Sequence, residues 1–315
     1  HARFMVLQMR GAPFATELIM EKALKPIADQ VMVITGASSG IGLATALAAA
    51  ERGAKLVLVA RSGETLQDVV TEINEIGGRA IAITADVGNR TAMLDVAAAA
   101  LAAFGRIDTW INNAGVSIYG RLDQVSDEDN RRLFETNFWG VVNGSLIALP
   151  HLRSQGGALI NVGSEVSDAV APLQGMYSTS KHAVKGFTDA LRVEVEHVDN
   201  APVSVTLIQP TAVNTPYPRH ARNYLAAEPK LPDQQIQPTQ VAEAILKAAC
   251  EGGRDVTVGT MSTFNTVISK LLPRLADKIA SKQIENQKEP FAARNRQGAL
   301  HKPGGHGNVY GQPPR

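Results

Sequence analysis

Short, continuously apolar runs alternate along the chain with longer segments whose apolar positions recur at helical spacing. Val31–Thr35 is followed by Ile41–Glu51, Lys55–Ala60 by Glu64–Ile76, Ala80–Thr84 by Thr91–Phe104, and Ile107–Ile111 by Asp127–Leu149. Ala158–Val162, Val203–Ile208 and Asp255–Val258 extend the strand series, separated by the helical stretches Gly175–His197 and Thr239–Cys250. The strand runs do not alternate in polarity, as expected of strands covered by helices on both faces. Strands and helices in this alternation connect in parallel, so the pattern predicts an α/β fold: one domain over residues 28–260 built on a doubly wound sheet of seven parallel strands.

Three regions depart from the alternation. From Pro216 to Pro238, Pro, Tyr, Asn and Gln intervene between a strand and a helix, at the edge where doubly wound sheets bind ligands, which makes 216–238 a candidate substrate lid. Within 261–288, Ile268, Leu271, Leu272, Leu275 and Ile279 fall at helical spacing beside Lys270, Arg274, Lys278 and Lys282. That pattern predicts an amphipathic helix with a basic stripe, interrupted at Pro273, and packing against the domain or a neighbouring subunit is favoured over a membrane surface. Residues 289–315 carry Pro290, Pro303, Pro313, Pro314 and a Gly-Gly pair with few apolar side chains, which predicts an extended or disordered tail. Residues 1–27 are set aside as an N-terminal extension: the chain begins with His, Met9 and Met20 are alternative starts, and no signal-like arrangement is present.

Composition narrows the function. Lys+Arg 31 against Asp+Glu 30 leaves a formal charge of +1 over 315 residues, too balanced for a nucleic-acid footprint and suited to a small-molecule substrate. The single cysteine, Cys250, can form no internal disulfide, which fits a reducing, cytoplasmic compartment. No uncharged apolar run reaches the ~18 residues of a spanning helix.

The chemistry sits in two places. After the first strand, Thr35-Gly36-Ala37-Ser38-Ser39-Gly40-Ile41-Gly42 opens a helix; its glycines permit a tight turn and let backbone approach a pyrophosphate at the helix N-terminus. Further on, Tyr177-Ser178-Thr179-Ser180-Lys181 places a phenol and an ammonium four residues apart on one helix face, with Ser164 thirteen positions before the tyrosine and Asn137 upstream. Such a phenol can exchange a proton with a carbonyl oxygen if a neighbouring cation lowers its pKa, and Ser164 can donate to the developing oxyanion. No metal-ligand pattern accompanies this set.

The turn at 35–42, Asn112-Asn113-Ala114-Gly115 after the fourth strand, Asn137, Ser164 and the Tyr177/Lys181 pair, in this order, resemble a short-chain dehydrogenase/reductase over roughly residues 28 to 260. The resemblance implies a Rossmann-like fold and an oxidoreductase acting on CH–OH groups, with Tyr177 as general acid/base. It implies that Lys181 also holds the nicotinamide ribose, that Asn137 positions a water for proton relay, and that Asp86 and Val87 contact adenine. Asn113, Ala114 and Gly115 are then expected along the adenosine ribose, and Pro210, Val213 and Thr215 at the carboxamide, with Thr211 where the family carries glycine. A homodimer or homotetramer built from the helices carrying Asn137 and Tyr177 is implied as well.

Cofactor choice is read at the end of the second strand, where an acid would bind the ribose hydroxyls and an arginine a 2′-phosphate. Here the strand ends Ala60-Arg61-Ser62, with no acid at 60 or 61, so NADP(H) is expected over NAD(H). Ser117, Ile118, Tyr119, Val166, Leu173, Met176, Pro216 and Tyr217 are the substrate-facing candidates, with Arg219 and Arg222 as alternatives for an acidic substrate. A cofactor-binding sensor or scaffold without catalysis, and a 3-ketoacyl-thioester reductase, are the competing readings.

Overall fold

Every residue of Val31–Thr35 (β1) is buried, because the strand lies near the middle of a sheet covered on both faces. The computed structural model describes residues 24–259, 273–282, 284–304 and 307–312. In chain order the strands are β1, β2 (Lys55–Ala60), β3 (Arg79–Thr84), β4 (Thr109–Asn112), β5 (Ile118–Tyr119), β6 (Gly157–Val162), β7 (Val203–Pro210), β8 (Arg222–Asn223), β9 (Ala227–Pro229), β10 (Asp255–Val258) and β11 (Lys288–Ala292). Seven of them form one sheet in the order β10-β7-β6-β4-β1-β2-β3, every pairing parallel. The sheet reverses direction of growth beside β1, with β2 on one side and β4 on the other, and the crevice at that reversal is where such folds receive ligands.

Six helices cover the faces. Leu43 of α1 (Gly40–Glu51), Leu66 and Ile73 of α2 (Gly63–Glu75), and Val241 and Ile245 of α8 (Pro238–Glu251) join Met32, Leu56 and Ile160 in one apolar layer. Met93 and Val96 of α3 (Arg90–Phe104), Ile147 of α5 (Gly140–Gln155) and Leu191 of α6 (Gly175–Val193) pack with Val33, Val57 and Trp110 in the other. The predicted α/β doubly wound, Rossmann-like architecture is therefore observed.

Two details position the site. Asp127–Leu149, expected as one helix, is α4 (Asp127–Phe134) and α5 joined by a π turn over Glu135–Trp139, a widening that turns Asn137 inward. Arg192, 2 % exposed, pins the far end of α6: Nε donates to the Val205 carbonyl of β7 at 2.8 Å and Nη1 to Asp189 at 2.6 Å. The helix carrying Tyr177 and Lys181 is thus held at a fixed height above the sheet.

Outside the sheet, α7 (Tyr217–His220) and β8 begin the expected lid, and β5 pairs with β8. The chain end folds back onto this region, β11 running antiparallel to β9. Of the predicted amphipathic segment, α9 (Pro273–Lys282) is seen, starting at Pro273, where a proline is compatible with a first helical turn. Its expected earlier part, with Ile268, Lys270, Leu271 and Leu272, and most of the N-terminal extension, with Met9 and Met20, lie outside the described residues.

Candidate active site

The phosphate turn is shaped by contacts its glycines alone permit. Gly36 has φ +68°, and a Cβ on Gly42 would fall 2.2 Å from the Gly36 carbonyl and 2.5 Å from Asn113 Nδ2. That same Nδ2 donates to the Thr35 carbonyl at 2.9 Å, while Thr35 Oγ1 accepts from Asn113 N at 3.0 Å and Ala114 N at 3.1 Å. Thr35 and Asn113 so fasten the end of β1 to the end of β4 and hold the crevice open. Behind them Asn112 donates to Asn161 at 2.9 Å and Asn161 to Thr188 of α6 at 2.9 Å, a buried amide chain running from the crevice to the catalytic helix.

Two cavities adjoin at this crevice and share Ile41, Asn113, Gly115, Thr215 and Tyr217. The smaller, of about 190 Å³, has Gly36, Ser38, Ser39, Gly40, Arg61 and Ser62 in its lining, and also Asp86, Val87 and Ala114. The larger, of about 420 Å³, is lined by Ser164, Tyr177, Lys181, Pro210 and Val213. Together they make one trough leading from Arg61 to Tyr177, the shape an extended dinucleotide requires. Of the cofactor residues expected from sequence, Gly42 alone lies behind the wall, where it admits the Gly36 carbonyl. Thr215 closes the trough's middle, its methyl 3.2 Å from where a Cβ on Gly40 would stand.

Thr211 occupies its loop without strain. Leu173 (63°) and Asn200 (49°) are the non-glycine residues with positive φ among those described, and Thr211 is not one of them. Its Oγ1 donates to Glu165 Oε2 at 3.0 Å, and its methyl fits because Gly259, at φ +98°, leaves the space.

The four residues expected to do the chemistry meet at the inner end of the larger cavity. Ser164 caps the short turn Glu165–Ser167, its Oγ accepting from Val166 N at 3.3 Å, so the hydroxyl proton is left to serve the Tyr177 phenol, on which Ser164 acts as a downward pull. Burial pushes the Tyr177 phenol above its ordinary value; hydrogen bonds from Ser164 and Tyr217 pull it back. Lys181 Nζ stands 5.8 Å from the centre of the Tyr177 ring and donates to the Val162 carbonyl at 2.8 Å. Burial brings this lysine down to about 8, so it carries its charge for only part of the neutral-to-basic range. Burial thus raises the phenol and hydroxyl neighbours pull against it, with Lys181, expected to lower it as well, beside the ring.

Asn137 is fully buried and its amide is spent on structure. Oδ1 accepts from Val116 N at 2.8 Å, and Nδ2 donates to the Val116 carbonyl at 2.9 Å and to Ser180 Oγ at 3.1 Å. It ties the loop after β4 to the helix of Tyr177. Asp86, expected at the adenine, accepts from Gly88 N at 3.0 Å and is paired with Arg132.

The substrate-facing expectation divides. Val166 and Tyr217 line the larger cavity, Ser117 and Pro216 the smaller. Ile118 and Tyr119 are core residues at 3 % and 0 % exposure, and Leu173 and Met176 lie in neither lining, Leu173 making the turn before α6. Arg222 is committed to Asp129 at 2.7 Å, and Arg219 to the Gly311 carbonyl, so neither is poised for an acidic substrate. Sequence reasoning missed Gln174, whose Oε1 accepts from Tyr217 Oη at 2.9 Å and from Ser117 Oγ at 3.3 Å, and Gln287, which accepts from Gln174 Nε2 at 2.8 Å. Gln174 stands three residues before Tyr177 and could have been found by that spacing; Gln287 carried no signal.

Comparison with known proteins agrees with this geometry. The family profile described as short chain dehydrogenase matches residues 30–224. The uncharacterized oxidoreductase YxnA of Bacillus subtilis (strain 168) is 46 % identical over 262 residues, covering 82 % of this chain and 73 % of the relative. A short chain dehydrogenase/reductase from Burkholderia phymatum, solved in complex with NAD, superposes with a TM-score of 0.68 at 26 % identity, covering 86 % of this chain and all of that one. An alcohol dehydrogenase from the archaeon Thermococcus sibiricus, complexed with 5-hydroxy-NADP, gives 0.65 at 28 % identity over 73 % of this chain and 95 % of the other. The fold and site define a nucleotide-binding oxidoreductase. The chain belongs to the short chain dehydrogenase family.

Proposed function

We propose that the protein interconverts a carbonyl and a secondary alcohol with a nicotinamide cofactor, Tyr177 exchanging the proton at the substrate oxygen. The observation that carries this is the Ser164–Tyr177 hydroxyl pair beside Lys181 at the inner end of the trough. Two hydroxyls converging there would hold a carbonyl oxygen from both sides, Ser164 stabilising its developing charge and Tyr177 supplying the proton. The trough fits the cofactor: glycine backbone at the pyrophosphate, Asn113 to Gly115 along the ribose, and Thr215 at the carboxamide. When bound, the nicotinamide supplies or accepts the hydride. The residues then keep the substrate oriented and carry its proton.

NADP(H) is the preferred form in this reading, NAD(H) the alternative. No acid stands at the end of β2, Arg61 lines the adenosine end of the trough with Arg132 beside it, and Asp86 is the carboxylate among the described residues that faces both. A hydrogen bond to a charged group is worth about 1.5–3 kcal/mol, enough for a ten- to hundredfold preference. Val166, Val170, Leu231, Pro232 and Ile279 on the larger cavity suit a substrate with an apolar body.

The protein is proposed to act as a homodimer or homotetramer. Trp139 (48 % exposed), Leu146 (40 %) and Val193 (50 %) leave apolar surface on the segments carrying Asn137 and Tyr177, and Trp139, Phe138 and Phe187 link them ring to ring. Sedimentation as a monomer at micromolar concentration would refute that arrangement. No helix among the described residues is long and apolar enough to cross a membrane, and the lone Cys250 suits the reducing cytoplasm. The catalytic reading is tested by a panel of ketones and secondary alcohols followed at the nicotinamide absorbance with both cofactors. Tyr177→Phe should cost roughly 10²–10⁴ in turnover while cofactor still binds; unchanged turnover would remove Tyr177 from the chemistry, and cofactor binding with no turnover of any panel member by the natural chain would leave a binding protein without catalysis.

A further inference from the structure

Residues 299–304 and 307–312 lie along the trough. Arg61 Nη1 donates to the Leu300 carbonyl at 2.9 Å, Nη2 donates to the Ala299 carbonyl, and Arg132 Nε reaches the same Leu300 oxygen at 3.2 Å. Further on, Gly40 N of the phosphate turn donates to the Asn308 carbonyl at 3.0 Å. Beside the nicotinamide loop, Gln312 N donates to Asn214 Oδ1 and Asn214 Nδ2 to the Gln312 carbonyl, each at 3.0 Å. The arm so passes the adenosine end, the pyrophosphate turn and the nicotinamide loop in the order a bound dinucleotide would.

The arm does not fill the trough. A cavity of about 190 Å³ remains, with the phosphate turn, Asp86 and Val87 in its lining on the domain side and Ala299, Pro303 and Gly304 on the arm side. Besides Arg61 and Gly40, which line this cavity and bond the arm directly, further contacts fasten it. Leu300, fully buried, packs with Val116, Ile118 and Leu133; His301 Nε2 is 2.7 Å from Asp129 Oδ1; and Ala299 N donates to the His220 carbonyl at 2.7 Å. A plug would occupy the space beneath it, whereas this segment offers small side chains to a space that is kept. Ile41, next in the first turn of α1, has no intrahelical acceptor for its N–H and lines both cavities, so an anion donor remains under the arm.

We propose that residues 299–304 and 307–312 are part of the cofactor site: an outer wall that closes over the bound dinucleotide and must lift for it to leave. The proposal rests on the nicotinamide reading above. Arg61 gains a second duty, holding the wall shut through backbone carbonyls, and exchange of cofactor is slowed by the free energy of releasing Leu300 and its neighbours. Small side chains are required along the inner side of this wall.

The test compares NADPH release from the full chain, from a chain ending at Gln297, and from full-length Leu300→Asp, by stopped-flow nicotinamide fluorescence. Release should accelerate at least about tenfold in both altered chains, with affinity falling in proportion. Hydrogen exchange on the intact protein gives a second reading that does not depend on the variants folding: NADPH should slow exchange at the amides of 299–312. Tighter binding after truncation, or faster exchange with NADPH, would make the arm a competitor and overturn the proposal; equal release rates would overturn it too. Those results leave the oxidoreductase reading standing, whereas failure of every chain to bind either nicotinamide cofactor overturns both.

Discussion

Tyr217 stands edge-on to Tyr177, ring centroids 5.6 Å apart and planes inclined at 67°, so the residue that begins the expected lid touches the residue proposed to exchange the proton. The single proton of Tyr217 Oη is donated to Gln174 Oε1 at 2.9 Å in this arrangement; turned instead to the Tyr177 oxygen, it is one of the two that oppose the upward push of burial on that phenol. Removing the Tyr217 hydroxyl while keeping the ring should therefore raise Tyr177 further. Alcohol oxidation needs the phenolate, so in Tyr217→Phe the acidic limb of the oxidation profile should move to higher pH. A profile that stays in place would show that Tyr217 only packs.

Lys181 makes stability depend on pH in a fixed direction. Its folded value is brought from 10.5 to about 8 by burial, so between those values the unfolded chain holds a proton that the folded chain has released. Stability therefore rises as pH increases through this window, and the full penalty is present below it. The span corresponds to about 3 kcal/mol. Urea midpoints measured from neutrality to pH 10 should climb more steeply in the natural chain than in Lys181→Met, the difference between the two isolating this lysine from other titrating groups. Parallel curves would mean that the ammonium is better solvated than its 4 % exposure indicates.

Much of this was legible in the chain because the signals are local. Strands buried on both faces must be apolar throughout, and β1 and β2 fall on the predicted residues. The phosphate turn and the Tyr177/Lys181 pair were readable because a tight turn and a helix face each fix residue types at short range. What escaped depends on long-range placement. The π turn at Asn137 relieves a continuous helix that periodicity alone would extend. Gln287 meets Gln174 across a separation of 113 residues, and the arm reaches Arg61 across 238 and more, so no window of sequence contains either contact. Ile118 and Tyr119 are near the site along the chain but both faces of their short strand are buried, which proximity in sequence does not reveal.

Gly42 tests the phosphate turn without touching any charged group. An alanine there would set its methyl against the Gly36 carbonyl and Asn113 Nδ2, neither of which can withdraw, since Asn113 is also bonded to the Thr35 carbonyl. Gly42→Ala should lower unfolding free energy by about 1–3 kcal/mol and weaken binding of either nicotinamide cofactor. Gly77, with no atom within 4 Å of its would-be Cβ but φ +91°, separates crowding from backbone strain. Gly77→Ala should cost about 1 kcal/mol through strain alone and leave cofactor binding unaltered. Equal binding losses in the two variants would show that the turn is not the cofactor's seat.

Two tasks are proposed for Arg61, and a single ratio separates them. As a holder of the arm it acts on any dinucleotide, so Arg61→Ala should speed release of NADP(H) and NAD(H) by the same factor. As the group facing a 2′-phosphate it acts on NADP(H) alone, and the loss there should reach roughly ten- to a hundredfold beyond the shared effect. The quantity to measure is the ratio of the two cofactors' dissociation constants before and after substitution, at low and moderate salt. A ratio that collapses toward unity, with salt sensitivity lost in the variant, identifies Arg61 as the reader of the phosphate. A ratio left unchanged while both cofactors weaken would make Arg61 a latch only and remove the ground for preferring NADP(H).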